Sequence, residues 1–284
     1  MAARIAGRSP VCTARLEKKV SLSLPNSPES LAAKVTNGQV PVRRAWGMLV
    51  LRSALSFALL LLLAVVYRLA GSNSPVSDSA AWWLWFVTAA NIACIALMVH
   101  FGRLEGVRLR DIYFINRATW KGDLAWLLLA GVVSAVVAMP PGTLLAQALW
   151  GDANFPNNLL FRPLPLWAIY PLFLLMPTTQ ALAELPTYWG YVAPRLRAAG
   201  MNRWLVIGLV GLWLSIQHLF FSFQLDWRYN LWLAVKFLPF ALWTGVVIDR
   251  RPTTLPYLMV LHFLLDATLP LLTLMVSQGM SIAP

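Results

Sequence analysis

Cysteine and acidic residues are nearly missing from this chain. Its two cysteines among 284 residues are Cys12 and Cys94, too few for a disulfide framework and without metal-ligand spacing. Neither is assigned a role. Asp and Glu together number 11 and His only 3, so any chemistry built on carboxylate or imidazole has few places to sit. Charged residues make up 12% of the chain, against about 25% in soluble domains. No segment alternates in polarity over roughly ten residues, which excludes a membrane β-barrel. The metalloprotease helix His-Glu-x-x-His and the nucleophile elbow Gly-x-Ser-x-Gly are both missing. There is no internal repeat, low-complexity tract or linker to a second folded domain. No secretory signal is visible either, because the first long apolar run begins only near Trp46 and is long enough to span a bilayer.

What is present is apolar. Hydrophobic residues make up 59% of the chain and the mean hydropathy is +0.65, more than an aqueous fold of this length can bury. They come in blocks of about 20 residues, which at about 1.5 Å per residue match a hydrocarbon core about 30 Å thick. The expected fold is all-α, a polytopic transmembrane helical bundle with about seven spans at 46–70, 81–101, 124–150, 165–193, 204–223, 231–248 and 254–276. Met139, Pro140, Pro141 and Gly142 interrupt the third span. Pro165, Pro171, Pro177 and Pro186 crowd the fourth, so kinks or unwound turns are expected in both.

The 23 Lys and Arg set the orientation, since cytoplasmic loops accumulate them. Eight precede the first span: Arg4, Arg8, Arg15, Lys18, Lys19, Lys34, Arg43 and Arg44. Arg103, Arg108, Arg110, Arg117 and Lys121 follow the second, Arg195, Arg197 and Arg203 the fourth, and Arg250 and Arg251 the sixth. Only Arg162 and Arg228 fall in the opposite loops. The N-terminus is therefore expected in the cytoplasm, with residues 1–45 a basic, disordered tail and a transit peptide the second reading. Residues 46–284 form the membrane domain. Arg52, Arg68 and Lys236 lie in or at the edge of spans, and snorkelling, pairing or facing the bundle interior are the readings for them. Residues 102–123 read as an interfacial amphipathic segment with Leu109, Ile112, Tyr113 and Ile115 toward lipid. The formal charge of +12 suits topology and anionic lipid. It does not suit nucleic acid, for the basic residues are dispersed and no binding module accompanies them.

An ionisable group inside a span costs at least a few kcal/mol and is seldom kept without use. Four such groups stand out: Glu184, His218, His262 and Asp266. At about 1.5 Å per residue, Glu184 lies about 17 Å from Arg195, His218 about 22 Å from Arg203 and His262 about 17 Å from Arg251, so all three reach one level near mid-membrane. Asp266 shares a helix face with His262, four residues on. A carboxylate beside an imidazole in a water-poor cavity can activate water. The same set could ligate a divalent cation such as Zn²⁺, or merely hold helices together through an interhelical hydrogen bond. Spacing does not separate these. His100, at the end of the second span, reads as an interfacial histidine.

Three ordered stretches carry a family resemblance: Glu184-Leu185-Pro186-Thr187-Tyr188-Trp189-Gly190, Leu214-Ser215-Ile216-Gln217-His218 and His262-Phe263-Leu264-Leu265-Asp266. They resemble the motifs Glu-Glu-x-x-x-Arg-Gly, Phe-x-x-x-His and His-x-x-x-Asn of the CPBP intramembrane proteases. That family includes type II CAAX prenyl proteases and bacteriocin-processing, immunity and lysostaphin-resistance-like proteins. The resemblance covers residues 165–270. It implies a catalytic role for Glu184, water activation by His218, and oxyanion stabilisation by His262 and the residue at 266. Leu185 stands in place of the second Glu, Trp189 of the Arg, Leu214 of the Phe and Asp266 of the Asn, which implies that a structural ion pair is lost. An ionised Asp266 cannot donate to an oxyanion, so orienting His262 is its expected role. Pro186 removes the donor to the Leu182 carbonyl and is expected to open the helix where a substrate backbone would need partners.

The resemblance implies an intramembrane endopeptidase acting through Glu- and His-activated water on a membrane-associated peptide or protein, lipidated substrates included, in the inner or plasma membrane of a bacterial source. A non-catalytic, CPBP-like binding or immunity protein is the first rival. A proton-coupled or small-molecule transporter is the second, and the missing inverted repeat counts against it.

Overall fold

The computed structural model describes residues 25–280, apart from the side chain of Met139. Among them every regular element is helical. Seven helical segments are long and apolar enough to cross a membrane: Val42–Leu69, Trp83–Glu105, Trp120–Trp150, Leu166–Ala198, Arg203–Phe221, Trp227–Arg250 and Pro252–Ser277. These are the seven expected spans with ends moved by a few residues, since hydrophobic length is a local property. The protein is a multi-pass helical membrane protein.

The second and fourth spans pack together, as do the first and second, the fifth and sixth, and the fourth and seventh. The third span lies outside this group and turns Leu128, Leu129, Val132, Val136 and Leu144 outward. Indole groups tie it to the sixth span. Trp232 and Trp243 donate to the carbonyls of Gly142 and Ala130, each at 3.0 Å, and Trp126 donates back to Val247 at 3.4 Å. The expected interruption at Pro140 and Pro141 is not seen, because both prolines lie inside a helix that runs from Trp120 to Trp150.

Three other spans are broken near their middle. The fourth passes through a π-helical turn, Pro186–Val192. The sixth divides at Phe237, between Trp227–Lys236 and Leu238–Arg250. The seventh divides at Ala267, between Leu255–Asp266 and Thr268–Ser277. Irregular backbone at membrane depth is tolerated where protein or an internal cavity surrounds it, and these breaks flank one cavity, described below.

Residues 1–24 of the expected tail, Cys12 with them, lie outside the described residues. The remainder of it corrects the expectation of disorder. Ser27 caps the helix Pro28–Thr36 by accepting from the Ser30 amide at 3.2 Å, and Leu31 is wholly buried. Asn26 donates to the Gly190 carbonyl at 2.7 Å, and Lys34 to that of Glu105 at 2.9 Å. Buried Leu31 and Val40 and the polar anchors at Asn26 and Lys34 thus dock a segment whose composition reads as disordered.

The 102–123 segment is corrected as well. The second span continues to Glu105, and Ile112 is buried against Gly190 instead of facing lipid. A Cβ on Gly190 would meet Ile112 at 2.5 Å, so only glycine permits that approach. Tyr113 also turns inward, donating to the Leu182 carbonyl at 2.8 Å. Burial holds its phenol above the ordinary tyrosine pKa, in the neutral, donating form. That carbonyl is the one Pro186 leaves without a helical donor, so it is capped rather than open to a substrate. Ile115 alone among the four apolar residues is markedly exposed.

At the same end of the bundle Glu105 gathers cations. Arg195 donates to Glu105 Oε2 from Nε at 2.9 Å and from Nη2 at 2.6 Å, while Tyr191 donates to Oε1 at 2.9 Å and Arg44 approaches it at 3.4 Å. Arg203–Asp249 and Arg251–Asp123 are further ion pairs at span ends. Several of the basic residues that bias the topology therefore also tie helices together.

Candidate functional site

Glu184 sits on the fourth span, two residues before the π-helical stretch, with its side chain 2% exposed. Each carboxylate oxygen is engaged twice. Oε1 accepts from Arg52 Nη1 at 3.0 Å and from Gln217 Nε2. Oε2 accepts from Gln180 Nε2 at 2.5 Å and lies 2.8 Å from His262 Nε2. A carboxylate offers about four lone-pair sites, and three of those on Glu184 are met by N–H donors.

Arg52 was not among the residues expected at the site. It comes from the first span, is fully buried, and faces inward rather than snorkelling. Its Nε donates to Asn91 Oδ1 at 2.9 Å, Nη1 also donates to Gln217 Oε1 at 2.7 Å, and Nη2 donates to Gln180 Oε1 at 2.8 Å. Asn91 in turn donates to Gln180 Oε1 at 2.8 Å, and Tyr188 to Gln217 Oε1 at 2.8 Å. Both glutamines thus turn their carbonyls to the guanidinium and their amino groups to the carboxylate, and the amides close a ring around the charge pair. A buried ion pair survives desolvation when its remaining donors and acceptors are met in this way. Asn91, Gln180, Gln217 and Tyr188 complete the site, and as side chains uncharged near neutral pH they stand out less in a span than Glu, His or Asp do. Gln180, four residues before Glu184, and Gln217, beside His218, carried the available signal.

The structure brings together all four expected residues. His218 lies on the fifth span with Nε2 3.9 Å from Glu184 Oε1. Its Nδ1 is 3.1 Å from the Ser215 carbonyl. A carbonyl can only accept, so Nδ1 carries the proton and Nε2 of the neutral ring is a bare acceptor. Phe237, at the break in the sixth span, packs on the imidazole with ring centres 4.0 Å apart. His262 Nε2 lies 2.9 Å from Asp266 Oδ2 as well as 2.8 Å from Glu184 Oε2. The Nε2 atom makes no aligned hydrogen bond to either carboxylate, and its close contact with Glu184 brings the seventh span against the fourth. His100 is exposed at the end of the second span, away from this group.

The four side chains open on a cavity of about 460 Å³ whose walls include Leu160, Phe161, Leu214, Phe240 and Leu272. Polar groups converging in an apolar pocket of this size are the usual form of a ligand or active site. A divalent cation does not suit it. Among the described residues no three His, Cys, Asp or Glu side chains are arranged to hold a metal ion, and the Glu184 oxygens are taken by N–H donors, one of them on the cationic Arg52.

The motif departures find structural places. Trp189 is buried over Gly245 of the sixth span, where a Cβ would come within 2.4 Å of the indole. It fills the bundle core and does not reach Glu184. Leu185 and Leu214 are also buried. The charge opposite Glu184 is instead supplied by Arg52.

Comparison with family models, with curated proteins and with solved structures finds no match to this chain.

Proposed function

We propose that the protein is a membrane-embedded endopeptidase of the CPBP type, hydrolysing a peptide bond of a membrane-associated peptide or protein. The three ordered motifs support this reading, together with their convergence on one cavity. The single observation that carries it is the state of His218, whose Nδ1–H is tied to Ser215 while Nε2 is bare and beside Glu184. In this mechanism Nε2 takes a proton from water, and the hydroxide attacks the scissile carbonyl carbon. Glu184, 3.9 Å away, favours the imidazolium that forms. His262, 2.9 Å from Asp266, stabilises the tetrahedral oxyanion. Collapse of the intermediate expels the amine, which receives the proton from His218 Nε2. No covalent acyl-enzyme forms. The distribution of Lys and Arg supports a cytoplasmic N-terminus and, in a bacterial source, an inner-membrane location.

One observation favours a second reading, a non-catalytic binding protein on the same frame. With three N–H donors already on its oxygens, Glu184 is a poor acceptor for a water proton, and its first role is structural.

The test is proteolysis by the full-length protein in lipid nanodiscs against a library of membrane peptides, with His218→Ala, Glu184→Gln and His262→Ala alongside, each with and without chelator. Cleavage that falls by about 100-fold or more in His218→Ala supports the peptidase. Absence of cleavage by folded wild type across the library moves the conclusion to the binding protein.

A further inference from the structure

Lys236 brings a cation into the cavity, and among the described residues no anion forms an ion pair with it. It closes the first half of the sixth span, Trp227–Lys236. At about 1.5 Å per residue it lies about 13 Å from Trp227, farther than its four-carbon stem extends, so snorkelling to the span end is not open to it. The stem is also held in place. Gly142 of the third span sits against it, a Cβ there meeting Lys236 Cβ at 3.3 Å and Cδ at 3.8 Å. The ammonium stands 3.7 Å from the centre of the Trp232 ring and 4.6 Å from that of Phe237, the ring that stacks on His218.

Among the described residues it has ring contacts but no hydrogen bond or ion pair. The other charged groups lining the cavity are Glu184 and Asp266. The first is paired with Arg52, the second lies 2.9 Å from His262 Nε2, and neither makes an ion pair with Lys236. An ammonium at this depth costs several kcal/mol unless an opposite charge meets it. The aromatic faces and the C-terminal dipole of its own half-helix offset part of that, and neither supplies an acceptor for its three donors.

We infer that Lys236 binds the oxyanion head, carboxylate or phosphate, of an amphiphile whose apolar chain lies along Leu160, Phe161, Leu214, Leu269 and Leu272. This role does not depend on hydrolysis.

The experiment uses the full chain in zwitterionic nanodiscs, with empty nanodiscs as the partition blank. The equilibrium binding of palmitate, palmitoyl lysophosphatidate and uncharged monopalmitoylglycerol is measured for wild type, Lys236→Met and Lys236→Arg. Saturable binding of at least one anionic probe is expected, roughly tenfold or more tighter than the neutral one. Lys236→Met should erase the difference and Lys236→Arg should keep it. Preference for palmitate identifies a carboxylate head and preference for lysophosphatidate a phosphate head. The inference is overturned if the neutral probe binds as tightly as both anions, or if Lys236→Met, with an unchanged melting temperature, keeps the preference.

Discussion

Arg52 Nη1 and Glu184 Oε1 meet at 3.0 Å, 132 residues apart in the chain, in the interior of the helical bundle. The pair ties the first span to the fourth, and through Gln217 and Asn91 it also engages the fifth and second. Removing one charge leaves the other buried and unmatched, which costs far more than the pair contributes. Arg52→Met should therefore destabilise the folded protein by about 3–5 kcal/mol. Adding Glu184→Gln should restore most of that loss. A double-mutant cycle on unfolding in detergent measures the coupling, and additive effects would show that the two residues act separately.

Tyr113 and Pro186 should be coupled in the same sense. Tyr113→Phe leaves the Leu182 carbonyl without its phenolic donor, at about 1–3 kcal/mol. Pro186→Ala restores a backbone N–H in reach of that carbonyl. The double variant is expected to be more stable than Tyr113→Phe alone, as read from melting temperatures. A double variant no better than the single one would mean that the turn at Pro186–Val192 does not reclose on removal of the proline.

Gly245→Ala should force Trp189 from its place, since the added Cβ meets three indole carbons within 3 Å. Overpacking of this kind costs about 1–3 kcal/mol. Trp189→Phe in the same chain should recover part of it. Thermal unfolding and the tryptophan emission maximum report the change.

Asp226 joins the fifth and sixth spans and caps the latter by accepting from the Arg228 amide at 2.9 Å, while the Arg228 side chain bonds the same carboxylate at 3.2 and 3.1 Å. The Arg228 hydrogen bonds hold its carboxyl below the usual Asp range. For a group lowered on folding, the stabilisation is full above its unfolded pKa and lost as pH falls through the folded one. Stability should thus decline below about pH 4 by more in wild type than in Asp226→Asn, as followed by unfolding across an acid series.

Much of the frame was legible in the chain. Each span shows as a hydrophobic block because the bilayer imposes length and apolarity residue by residue. The depths of Glu184, His218 and His262 followed from counting residues to the nearest arginine. The same count places Arg52 about 12 Å from Arg44, short of their level, and a lone arginine near a span end also reads as a snorkelling one. The docking of Pro28–Thr36 and the burial of Ile112 were not legible, for both depend on surfaces supplied by the fourth span.

The sequence by itself determined the solvent and the depth: seven apolar segments, and a small set of polar groups that a bilayer does not tolerate unpaired. It did not determine their partners. Glu184 faces Arg52 rather than water, Lys236 faces a cavity rather than an acid, and Trp189 faces Gly245 rather than the site. Hydropathy reports position along one axis, whereas partners depend on how each helix is rotated about its own axis and which helices touch. Packing decides those, through close approaches such as Gly190 on Ile112 and breaks such as those at Phe237 and Ala267.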